Sequence, residues 1–110
     1  MGRTPERGDV FWLSLDPRLG HEQGGRRPVV ILSPAFYNRR AGLLLACPIT
    51  SRIKGYPFEV PLPEGLPVGG VVLADQVRSL DWHARPVDYL CTLPHSVVEE
   101  VLARAGSLLA

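Results

Sequence analysis

The sequence is poor in the residues that carry most enzyme chemistry. Its 110 residues hold two cysteines, three histidines, one methionine and a single lysine, Lys54. Cys47 and Cys91 stand alone in apolar contexts, with no Cys-x-x-Cys spacing and too few partners for a zinc site. They read as two reduced, buried thiols. His21, His83 and His95 lack metal-ligand spacing, and no Walker loop, GxGxxG, HExxH or GxSxG occurs. No metal or cofactor is therefore expected. No apolar run approaches the roughly 18 residues of a membrane span, and the N-terminus leads into no signal-like stretch, so the expectation is a cytoplasmic protein without membrane contact. What is abundant is Gly and Pro, 11 of each, within a chain that is 45% hydrophobic. That combination excludes a disordered chain, argues against a plain helical bundle, and suits one domain spanning 1–110.

Net charge is only +1, but the total hides a split. From Arg18 to Lys54 there are seven basic residues (Arg18, Arg26, Arg27, Arg39, Arg40, Arg52, Lys54) and one acid, Glu22, for +6; the remainder carries −5. Such asymmetry points to an anionic partner, and the basic third is expected to line a nucleic-acid groove.

The hydrophobic pattern predicts strands at 9–15, 28–33 and 43–50, the second a continuous β-branched run with both faces covered. Pro48 puts the end of the third at a sheet edge or bulge. Short strands follow at 56–60, at 71–80 (bent at Asp75 or split in two) and at 89–93, with a proline- and glycine-rich loop at 61–70. Residues 35–40 suit one helical turn. Then the period changes: Val97, Val98, Val101, Leu102, Ala105, Leu108 and Leu109 share one helical stripe, and Ser96 with Glu99 has capping-box spacing. Five or six strands and a C-terminal helix imply a mostly β fold, a small antiparallel barrel or half-barrel with the helix packed on it.

The most informative segment is Gly20-His-Glu-Gln-Gly-Gly-Arg-Arg-Pro28, which joins the first two strands. It offers a carboxylate (Glu22), an imidazole (His21) and two guanidinium groups (Arg26, Arg27) on a loop set in a rigid sheet. Arg27 directly precedes a buried strand, which suits it to a bidentate grip on phosphate or to an ion pair with Glu22. Thr50 closes the third strand beside Arg52 and Lys54, either as a phosphate hydrogen-bond donor or as a strand-ending threonine. A carboxylate, a held arginine and a hydroxyl make up a metal-free kit for RNA cleavage through the ribose 2′-OH. Tyr37, Tyr56 and Phe58 are core residues or stacking platforms for bases.

Arg7-Gly-Asp-Val-Phe-Trp12, the 20–28 loop, Val30-Ile-Leu-Ser-Pro34, Lys54-Gly-Tyr-Pro-Phe-Glu-Val60 and Val72-Leu-Ala-Asp-Gln-Val-Arg-Ser79 together resemble the MazF/PemK-type toxin endoribonucleases. The resemblance runs from about Gly8 to the C-terminal helix. It implies a homodimer of the CcdB/PemK-like, SH3-barrel type that cuts single-stranded RNA at short motifs without metal, leaving 2′,3′-cyclic phosphate and 5′-OH ends. It also implies an antitoxin whose acidic, disordered segment fills the RNA groove. Carried over, Arg27 and Thr50 are the catalytic pair, Glu22 an acid/base candidate, and Gln76 a residue that reads RNA. Charge and loop placement add Arg26, Arg52 and Lys54 as phosphate contacts. His21 stands where many members have a small residue; it joins the proton transfers or is solvated. Two other functions fit the same fold: a non-catalytic toxin that poisons gyrase through the face around Trp82 and Glu99–Ala110, and an inactive RNA-binding barrel.

Overall fold

The computed structural model describes residues 3–16 and 20–110. Arg18, counted above in the basic segment, lies outside the described residues. Seven strands and two helices follow one another as β1 (Asp9–Ser14), β2 (Arg26–Ile31), α1 (Ala35–Ala41), β3 (Leu43–Thr50), β4 (Glu59–Pro61), β5 (Val71–Leu73), β6 (Arg78–Asp81), β7 (Asp88–Thr92) and α2 (His95–Gly106). Every strand pairing is antiparallel, and the path runs β4-β5-β3-β2-β1-β7 with β6 also on β3. The sheet curves into a half-barrel and does not close.

β2 explains the two-sided core. Val30 and the following Leu32 enter one apolar cluster, with Val10, Cys47, Ile49, Val72 and the α2 residues Val98 and Val101. Val29 and Ile31 point the other way, into a second cluster with Phe11, Leu13, Leu44 and Leu80. A strand with apolar side chains on both faces must have both covered, as its unbroken β-branched run predicts.

β3 serves both arms of the sheet. Its first half pairs with β6 (Leu43↔Asp81 to Ala46↔Arg78) and its end with β5 (Ile49↔Val72, Thr50↔Val71). Between these pairings the chain takes six steps, Val72 to Arg78, against three along β3, so extra residues around Asp75 and Gln76 bow outward. The bent fifth strand is thus two short strands. Pro48 falls between the two pairings, where a missing N–H costs the ladder least.

Three local expectations are corrected. α2 starts at His95 with Pro94 as N-cap and no side-chain cap bond. Ser96 lies inside the first turn and cannot cap; instead His95 pairs with Glu99 at 3.6 Å. The helical stripe also ends early: Val98, Val101 and Ala105 are buried, whereas Leu108 and Leu109 lie past the helix and are exposed. Residues 56–58 form a turn, and strand structure begins only at Glu59.

Candidate active site

A groove of about 600 Å³ opens between the β1–β2 loop, the end of β3, the 51–58 loop and the β5–β6 bow. Of the residues singled out from sequence, His21, Thr50, Arg52, Lys54 and Gln76 line it. Arg27 is not among the residues that line it. The β2–β3 ladder ends at Val29↔Pro48, and Arg27 and Thr50 each lie two residues beyond that pair, on the same face of neighbouring strands. Arg27 is half-buried, and its Nε donates to the Gly24 carbonyl at 2.9 Å. That bond fixes both the side chain and the loop it came from. Among the described residues no protein acceptor takes its terminal NH₂ groups.

The cations sort by their partners. Arg7, Arg78 and Arg85 donate to the carbonyls of Leu32, Leu15 and Ser14, while Arg3 pairs with buried Asp9. These arginines hold the scaffold. The Arg52 and Lys54 side chains reach the groove with no hydrogen bond or ion pair to described residues. Arg26 sits on the opposite face of β2 from Arg27, pairs with Asp88 and lies over the Trp12 ring at 5.7 Å, outside the groove. Arg39 and Arg40 end α1 and also lie elsewhere. The expectation that the whole basic third lines the groove is therefore narrowed to Arg52 and Lys54. Glu22 is exposed between two groove residues.

Thr50 is held from several sides. Its Oγ1 accepts the Arg52 amide at 3.1 Å. Gly70, at φ +104°, lies so close that a Cβ there would come within 2.1 Å of the Thr50 carbonyl oxygen. Only glycine combines that backbone angle with that approach.

Three functional features escaped the sequence reading. Glu59, buried at the start of β4, accepts the Lys54 and Gly55 amides at 3.0 Å each and so shapes the basic loop from within. Arg104 of α2 donates to the carbonyls of Pro57 and Glu59, bracing the same loop from outside. Asp75 lines the groove and its Oδ1 is buried with no partner among the described residues. Hydrogen bonding to the Asp75 carboxylate, then its charge, push the Tyr56 phenol pKa up. No composition signal marks Glu59 or Asp75, because each reads as the polar residue of a short strand. Tyr56 itself is exposed in the groove with its ring 6.0 Å from Phe58, while Tyr37 lines a separate apolar groove with Phe36, Leu45 and Leu109. Neither tyrosine is a core residue.

The family model for PemK-like, MazF-like toxins of type II toxin–antitoxin systems matches residues 6–109. The endoribonuclease toxin MazF of Escherichia coli K12 is 43% identical over 106 residues, covering 96% of this chain and 95% of that protein. Among solved structures, MazF from Deinococcus radiodurans superposes with a TM-score of 0.94 at 56% identity, with 98% of each chain covered. The MazE–MazF complex from the same organism gives 0.87 at 50% identity, over 99% of this chain and 98% of that one. By sequence and by fold, the chain belongs to the PemK-like, MazF-like toxin family of type II toxin–antitoxin systems.

Proposed function

We propose that this protein is a toxin endoribonuclease that cuts single-stranded RNA in the groove at the end of β3. The observation that carries this reading is the convergence in one groove of the Thr50 hydroxyl with the Arg52 and Lys54 side chains, which have no partner among the described residues, and with Arg27 across from Thr50 in register. By contrast, Arg3, Arg7, Arg26, Arg78 and Arg85 are engaged by scaffold carbonyls or carboxylates. The relatives named endoribonucleases support the same activity.

In this mechanism Glu22 or an equivalent base takes the proton of the ribose 2′-OH, whose oxygen attacks the adjacent phosphorus. The P–O5′ bond breaks, and the departing oxygen takes up a proton, giving 2′,3′-cyclic phosphate and 5′-OH ends. The Arg27 fork and the Thr50 hydroxyl stabilise the dianionic phosphorane, where charge builds up most. The nucleophile belongs to the substrate, so the step requires no metal. Tyr56 offers a stacking face to a base next to the cut, and Arg52, Lys54 and His21 contact the strand on either side. The single domain acts in the cytoplasm as a homodimer. Its second copy covers the apolar groove of about 430 Å³ where Phe36 and Leu109 stand 69% and 88% exposed. An antitoxin with an acidic, disordered segment competes with RNA for Arg52 and Lys54.

The test is incubation of the purified protein with mixed-sequence RNA in EDTA, followed by mapping of the ends. Cleavage with 5′-OH termini is expected, falling at least about 100-fold in Arg27→Ala. No cleavage, or cleavage indifferent to that change, overturns the reading.

A further inference from the structure

Gln76 has a place in the groove that reading of RNA does not explain. Its Oε1 accepts the Gln23 amide at 3.1 Å, and its Nε2 donates to the His21 carbonyl at 3.5 Å. Those two backbone groups flank Glu22. One side-chain amide from the β5–β6 bow thus takes both the carbonyl before Glu22 and the N–H after it, as a neighbouring strand would. The shorter bond joins segments 53 positions apart in sequence.

The same loop is held at its other end by scaffold bonds. Leu15 N donates to the Gly25 carbonyl at 2.9 Å, Gly25 N to Asp16 Oδ1 at 2.8 Å, and Arg27 Nε to the Gly24 carbonyl. Residues 24–27 are therefore fixed beside β1 and β2, whereas Gln76 ties the backbone of 21–23 to the groove wall. The bow that carries Gln76 exists because the chain inserts extra residues between the β5 and β6 pairings with β3. A regular strand there would leave Gln76 short of the loop.

We infer that Gln76 is a positioning residue, whose amide clamps the backbone around Glu22 and sets the β1–β2 loop over the scissile phosphate. This rests on the endoribonuclease reading and refines it: Gln76 acts through the loop, and the base sequence recognised is read by other groups. Misplacing a reacting group by about 1 Å costs up to about 100-fold in rate, so the clamp matters more to turnover than to binding.

Gln76→Met keeps the size and removes both bonds. It is expected to lower kcat by about 10- to 100-fold with KM within about threefold of wild type. The motif cut should stay the same. Gln76→Glu keeps the acceptor facing Gln23, so the Gln23 amide should keep near wild-type exchange, while its charge against the His21 carbonyl and in the groove forfeits kcat. Independently of turnover, hydrogen exchange at the Gln23 amide should quicken about tenfold in Gln76→Met while β2 amides keep their protection. Unchanged Gln23 exchange, a shifted cleavage motif, or a raised KM with kcat intact overturns the inference. If wild type cuts no RNA the endoribonuclease reading fails, and the exchange result still decides whether the clamp exists.

Discussion

Glu59 illustrates how a buried acid shapes a surface. Its two oxygens each take a backbone amide of the basic loop, from Lys54 and Gly55, so the loop's course is written by a side chain underneath it. Glu59→Gln replaces one acceptor oxygen by a donor facing an N–H. The expected cost is about 1–3 kcal/mol, the range for a buried polar group left without its partner. That corresponds to a drop of several degrees in Tm, together with weaker RNA binding because Lys54 loses its fixed position. A thermal melt and an RNA titration of the variant check both effects. Such residues are the ones sequence inspection passes over. Thr50 was legible as a groove residue because a hydroxyl stood at the end of a strongly patterned strand beside basic residues. Glu59 and Asp75 were not, because burial of an acid depends on where a distant loop folds back. Gln76 lines the groove, and its hydrogen bonds to His21 and Gln23 depend on a bow that no local pattern announces.

Strand and helix identity came through where the hydrophobic period was long or the chemistry decisive, as in β1, β2, β3 and α2. Boundaries moved where tertiary contacts set them. β2 begins at Arg26 rather than Pro28 because β1 supplies partners back to Ser14↔Arg26. β4 begins late because the Glu59 clamp holds the preceding residues in a turn. α2 depends on three buried side chains rather than on a capping box, so its stability resides in its inner face. Val101 is fully buried against the first core cluster, and Val101→Ala is expected to destabilise by about 2 kcal/mol. Leu108→Ala, beyond the helix and exposed, should leave the monomer's stability within about 0.5 kcal/mol. Denaturant unfolding of the two variants at low protein concentration distinguishes them.

At the level of the whole molecule, folding should weaken in alkali in a specific way. Burial, with a smaller contribution from the Asp75 charge, pushes the Cys47 thiol from its ordinary 9.0 up to about 12. The folded chain keeps this proton after the unfolded chain has released it. The stabilisation is complete below pH 9 and is lost as pH rises toward 12, by about 2 kcal/mol at pH 10.5. Urea unfolding at pH 8 and pH 10.5 should show this decline in wild type and a shallower one in Cys47→Ala. Equal slopes would place the alkaline sensitivity elsewhere.

The strand order carries a consequence for how the protein comes into being. β1, near the start of the sequence, pairs along one edge with β7, which precedes α2. The groove likewise joins a loop near residue 22 to a bow near residue 76, and α2 braces the basic loop through Arg104. On the ribosome, the arginine and threonine of the rim emerge long before the strands and helix that give them their geometry. A chain that stops short of α2 exposes the first core cluster and lacks the brace on its basic loop. Partial products that lack β7 and α2 should therefore be harmless, and the RNA groove takes shape only after α2 has been made.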